Sequence, residues 1–220
     1  MRANAIVRFW DSSVGKKMVM AVTGVIGVLF TIGHMAGNLL VFQGAAKFDA
    51  YAHFLQSLGG LLWVARGTLL AAVALHVVAA YQLTMRNRAA RPVGYATREP
   101  QVSTLASRTL RWGGVLLLGF IVFHILHFTL GTVHPDFDRE RAFRNVVIGF
   151  QQPLASLFYV AAMGALALHL FHGVWSSTRT LGVAPTTPMP LRRRVALALA
   201  IAVPLGFASI PLAVLLGLVK

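Results

Sequence analysis

The sequence has no cysteine. That absence excludes disulfides, Cys-ligated iron–sulfur clusters and thioether-attached haem. Acidic side chains are almost as scarce, with six Asp and Glu among 220 residues. Any metal must therefore be held by His, Met or those few carboxylates. Charged residues of both signs make up 12% of the chain, about half the share of a soluble domain. Apolar residues stand in their place, at 57% with a mean hydropathy of +0.70. This imbalance marks a membrane protein before any motif is read.

In a soluble protein the net charge of +14 would suggest nucleic acid. Here the charges sit in short loops between apolar runs, so nucleic acid is rejected as a partner. Such loop charge orients a membrane protein and holds it against anionic lipid. The segment Met1 to Lys17 is polar, and no small-residue cleavage site ends a short apolar core. No cleaved signal peptide is expected.

A helix of about 20 apolar residues crosses a bilayer core. Five segments reach that length: 18–42, 61–85, 112–133, 154–175 and 195–219. Only the second contains a formal charge, Arg66. The loops between them are rich in Gly, Pro and Arg, the residues that punctuate helices. The expected fold is all-α, one integral membrane domain over residues 1–220 with five transmembrane helices.

Lys and Arg counts set the orientation. Arg2, Arg8, Lys16 and Lys17 precede span one. Arg86, Arg88, Arg91, Arg98, Arg108 and Arg111 follow span two, and Arg179, Arg192, Arg193 and Arg194 follow span four. The opposite side carries only Lys47, Arg66, Arg139, Arg141, Arg144 and Lys220, with Asp136, Asp138 and Glu140 among them. The N-terminus is therefore expected in the cytoplasm and the C-terminus outside, in a multi-pass protein of the cell membrane.

Eight histidines remain to be explained. His34, His76, His124, His127 and His169 lie well inside spans, and His172 lies near a span end. An ionisable residue inside a span is a functional candidate by default. Depth follows from the helical rise of about 1.5 Å per residue. His34 and His124 come out at roughly 24 and 18 Å from the inner face, both in the outer half. His76 and His169 each lie roughly 22 Å from the outer face, in the inner half.

Two histidines thus share an outer level and two share an inner level, each on its own helix. A b-type haem takes two axial imidazoles from opposite sides, and facing helices of a bundle supply them. The expected pairs are His34 with His124 and His76 with His169, so four of the five helices would surround two haems. The irons would be about 15 Å apart, a gap that permits electron tunnelling. Packed polar residues bonding across helices are the competing account. That account suits one buried histidine better than four at two matched levels. A metal pump would need carboxylates within the spans, and there are none.

Gly33 and Gly37 flank His34, and Gly113, Gly114 and Gly119 precede His124. Glycine lets a bulky ring approach a helix backbone; ordinary small-residue helix packing is an equal alternative. Arg66 lies near the outer level, where it would meet a haem propionate or snorkel to the interface. His127 and His172 follow the proposed ligands by three residues and suit propionate or surface contact better than ligation. The segment from Phe48 to Leu58 has apolar residues at helical spacing and reads as a short outer interfacial helix. Its polar members His53 and Gln56 are candidates to bond a quinone carbonyl. Span five has no histidine and is expected to pack outside the four-helix group.

Several motifs carry a resemblance. They are Thr31-Ile-Gly-His34 with Asn38, Ala52-His-Phe-Leu-Gln-Ser-Leu58, and Leu75-His76 with Tyr81. Further along come Arg111-Trp-Gly-Gly114 ahead of Phe123-His124, and His169-Leu-Phe-His-Gly-Val-Trp-Ser176, the most specific of the set. Over residues 10 to 215 the chain resembles the five-helix cytochrome b subunit of dihaem succinate:quinone oxidoreductases, which include menaquinone-linked succinate dehydrogenases and fumarate reductases. The resemblance implies haem ligands at His34, His76, His124 and His169. It also implies a flavoprotein subunit and an iron–sulfur subunit as partners and menaquinone or another quinone as substrate; the oligomeric state, a higher oligomer of the whole complex included, stays open. Electrons would enter at the inner haem and leave at the outer one. Where some members carry a carboxylate near the quinone, this chain has Gln56. A cytochrome b subunit of a nitrate reductase or hydrogenase, and a haem-free anchor or transporter, are the rival readings.

Overall fold

The computed structural model describes residues 4–90, 104–182 and 189–220, the side chains of residues 189 and 190 excepted. Among the described residues it is all-helical, with no strand. The loop arginines Arg91 and Arg98, and Arg2 at the N-terminus, lie outside the described residues.

Five helices are long and apolar enough to cross a membrane. They are α2 (Ser13–Asn38), α4 (Gly60–Ala89), α5 (Leu105–His124), α7 (Pro153–Thr180) and α8 (Met189–Leu215). Three shorter helices accompany them: α1 (Ala5–Asp11), α3 (Ala45–Ser57) and α6 (Ala142–Phe150). A 3-10 turn over Leu39–Gln43 extends α2, and a π-helical turn over Ile125–Thr129 extends α5.

Local chemistry explains where these helices start. The Ser12 hydroxyl accepts from Gly15 N at 2.8 Å and opens α2, and Thr104 does the same for α5 through Ser107 N. Pro153 opens α7 at a position where its missing N–H costs nothing. The third span ends at Thr129, not at Val133, because the chain turns at Gly131 (φ 74°) with the Phe137 ring packed against it. At their polar ends α4, α5 and α8 run further than hydropathy alone indicates. Their terminal arginines are good helix formers.

Small residues allow the closest helix approaches. Ala72 and Ala79 are buried on α4, which packs on α2. Ala162 and Ala196 are fully buried on α7 and α8, the most extensively packed pair. Pro204 and Pro211 lie inside α8, where a transmembrane helix tolerates them because its neighbours supply substitute contacts. The largest core cluster sits at one end of the bundle, where Val41, Phe48, Val146, Phe150, Tyr159 and Val214 meet. Large apolar side chains such as Leu29, Trp63, Trp112 and Leu154 cover the outside, as lipid contact requires.

A polar clamp fixes α6 and the loop before it to that end. The Asp49 carboxylate of α3 accepts from Phe143 N at 2.8 Å, which caps α6 across 94 residues of sequence. His134 donates from Nε2 to Asn145 O at 2.9 Å and accepts at Nδ1 from Asp136 N. Asn145 bonds both the N–H and the carbonyl of Asp138. Arg144 pairs with Asp136 and holds its carboxyl below the usual carboxylate range.

Candidate functional site

His34 lies on α2, four residues before that helix ends, and His124 is the last residue of α5. Their rings face each other with centroids 5.8 Å apart and planes at 79°. Phe30 stacks on His34 at 5.1 Å and Phe120 on His124 at 5.8 Å. Phe207 of α8 reaches the His34 ring at 5.7 Å, so α8 is not wholly outside the histidine-bearing group. The Asn38 amide donates to the His34 carbonyl at 2.7 Å and stands 3.2 Å from His34 Nδ1.

The second pair joins α4 to α7. The His76 and His169 ring centroids are 6.1 Å apart, with planes at 54°. Thr23 fixes the His76 ring. Its one hydroxyl proton is engaged by the carbonyls of Val19 at 2.7 Å and Met20 at 3.2 Å. Its oxygen, 3.1 Å from His76 Nδ1, is left to accept. His76 is therefore the tautomer that carries its proton on Nδ1, which leaves its Nε2 bare. His169 Nδ1 is buried and has no hydrogen-bond partner.

Both pairs bridge gaps. Helices α2 and α5 are not among the extensively packed pairs, nor are α4 and α7. The imidazoles span what the backbones leave open. A Cβ built on the half-buried Gly27 or Gly113 would meet no heavy atom within 4 Å. A cavity lined by Thr109, Leu110, Gly113, Ala165, Leu168 and His169 opens beside the second pair. All four pair histidines are half-buried although they lie deep in spans, so each retains a face toward open space.

Two imidazoles that bind one metal in line, each about 2 Å away, hold their ring centroids about 6 Å apart. Both pairs are close to that spacing. Among the described residues no group of three or more His, Cys, Asp or Glu is arranged around a bare ion. Donors that come in imidazole pairs without carboxylates, one pair beside a cavity that Gly113 lines, fit a planar prosthetic group that brings its own equatorial nitrogens.

The remaining candidates are placed differently. His127 is 1% exposed, with its ring against Phe128 at 4.1 Å and its Nδ1 3.2 Å from the Tyr159 hydroxyl. It is enclosed in aromatic packing and does not face a gap. His172 is half-buried beside Trp175. Arg66 lies over the lipid-facing Trp63 ring at 5.0 Å. His53 and Gln56 are exposed on α3, with His53 3.8 Å from Glu140. Sequence reasoning did not single out Tyr159 and Thr23. The available signal was a hydroxyl inside an apolar span, which needs a partner once buried.

The fold and these pairs define a multi-pass helical membrane protein with two facing histidine pairs. Compared with known proteins, the chain matches no family profile, no curated protein and no solved structure.

Proposed function

We propose that this chain is the haem-binding membrane anchor of a succinate dehydrogenase, that is, a succinate:quinone oxidoreductase. One haem b would be held by His34 and His124, the other by His76 and His169. Such groups supply one-electron transfer between an iron–sulfur subunit on one side of the membrane and a quinone, menaquinone or another, on the other. The carrying observation is the two imidazole pairs at metal-bridging spacing, each across a gap the backbones leave open.

The chain's own residues have defined tasks in this reading. Thr23 keeps His76 in the ligating tautomer. Phe30, Phe120 and Phe207 exclude water from the first pair. Arg86, Arg88, Arg108, Arg111 and Arg179 give one end a basic face, which would lie in the cytoplasm. That face is where the iron–sulfur subunit, fed by a flavoprotein, would dock. His53 and Gln56 at the opposite end are the candidates for the quinone carbonyls. The chain contains no succinate site: it has no cysteines for clusters and no dinucleotide fingerprint.

The test is a reduced-minus-oxidised spectrum with haem stoichiometry on the purified complex. Two haem b per chain, with a flavoprotein and an iron–sulfur protein co-purifying, is the expected result. Absence of an α band from protein made with ample haem overturns the proposal. A molybdenum or nickel partner in place of the flavoprotein would reassign the conduit to another respiratory complex.

A further inference from the structure

One phenol stands between the half-buried His124 and the buried His127. The Tyr159 hydroxyl lies 3.2 Å from His124 Nδ1 and 3.2 Å from His127 Nδ1. Tyr159 is 6% exposed, and its ring is held edge-on by Phe120 at 5.0 Å and Phe150 at 4.9 Å. The phenol therefore cannot swing to another partner. His127 sits in the π-helical turn directly after His124, closed by Leu130 N donating to Ile125 O at 2.9 Å. Such wide turns collect at functional positions.

The hydrogen count fixes who donates. A phenol has one proton to give and lone pairs to accept with. If His124 offers Nε2 across the gap to the His34 side, its Nδ1 carries a proton and must donate. Tyr159 then accepts from His124, and its own proton has His127 Nδ1 as its acceptor. His134, whose ring centroid is 5.1 Å from that of His127, takes no part, because both its nitrogens are bonded to backbone.

We propose that Tyr159 is a positioning residue for the His34/His124 site: its oxygen takes the Nδ1 proton of His124, and His127 anchors the phenol by accepting in turn. This assignment rests on the haem reading above and says which groups tune one of the two sites. The two sites are then unequal by construction. At His76 the acceptor is an aliphatic hydroxyl, at His124 it is a phenol tied to a third histidine, and His169 Nδ1 has no protein acceptor. A ligand imidazole that donates strongly is a stronger electron donor to its metal, so the partner hydroxyls bear on the relative potentials of the two sites.

The test is Tyr159→Phe in the whole complex, read by potentiometric titration and low-temperature EPR. The expected result is two haems retained, with one midpoint and one low-spin signal displaced. The displaced haem should be the one that His34→Ala removes, with its midpoint moved upward. Tyr159→Phe with both midpoints and both signals unchanged overturns the proposal and leaves the haem reading standing. Displacement of the other haem overturns it equally. A wild-type complex without haem overturns both. Should the phenylalanine variant fail to assemble, 3-fluorotyrosine can be incorporated into a chain whose Tyr51, Tyr81 and Tyr95 are Phe. That label keeps the ring's shape and changes the phenol's acidity, so it must displace the same haem; an unchanged spectrum overturns the proposal.

Discussion

His34 and His124 meet ring to ring at 5.8 Å while the helices that carry them stay apart. Two apolar helices with nothing to hold between them would normally close until small residues touched, as α2 and α4 do at Ala72 and Ala79. Here aromatic rings line the approach and the gap stays open. The same relationship recurs between His76 and His169.

Paired ligands should fail in pairs. His34→Ala and His124→Ala are each expected to lower the haem content from two to one and to remove the same redox transition. His76→Ala and His169→Ala should remove the other. Potentiometric titration of the four purified variants distinguishes the transitions. Loss of different haems by His34→Ala and His124→Ala would break the pairing.

Enclosed histidines should behave otherwise. His127→Leu is expected to keep both haems, because that ring packs on Phe128 and Tyr159 and does not face the gap. Its loss removes the acceptor of the Tyr159 proton, a destabilisation of roughly 1 kcal/mol on the scale of interhelical bonds in membranes. A lower melting temperature in detergent with unchanged haem stoichiometry is the outcome to look for. One haem per chain would instead make His127 a ligand.

The open space beside His169 can be probed by size. Gly113 lines that cavity, and a Cβ there meets nothing within 4 Å. Gly113→Ala should therefore be accepted, with a gain of up to about 1 kcal/mol in helix propensity. Gly113→Leu should fill the gap and cost the His76/His169 haem while leaving the helical content measured by circular dichroism unchanged. Full haem content in the leucine variant would mean that the cavity is not used.

One pH effect belongs to the loop clamp. The bond and charge of Arg144 lower the Asp136 carboxyl below its usual 3.8. A carboxyl lowered on folding stabilises the fold above its unfolded value, and that contribution disappears as pH falls through the lowered value. Asp136 is exposed and Arg144 only partly covered, so the effect is small and screened by salt. Limited proteolysis of the loop before α6 should quicken below pH 3.8, and Asp136→Asn should show no such change over the same range.

Hydropathy was enough to read five spans, because lipid leaves a helix no alternative to about 20 apolar residues. It could not read their ends. Helix α5 starts at Leu105 and α8 at Met189, both upstream of the apolar runs, because Arg108, Arg111 and Arg192 to Arg194 continue a helix as well as leucine does. Depth was legible in the same way, since a constant rise converts residue number into height. The rings of His34 and His124, placed at one level by that count, lie 5.8 Å apart.

Rotation about the helix axis was not legible. Tyr159 and Thr23 act by the direction they face on α7 and α2, and apolar residues all round a span erase the periodicity that would reveal a face. The contact of Phe207 with His34 escaped for the same reason, with span five read only as a helix without polar groups.

The attachment of α4 has a consequence for how the protein is made. This helix packs most extensively on α2, its Arg86 donates to the Asp11 carbonyl at the end of α1, and its His76 ring meets His169 of α7. It is hinged to the bundle along one side, like a door. On the proposed reading, a chain made without haem would display α4 to the proteases that survey the membrane, so haem supply would decide how much protein survives.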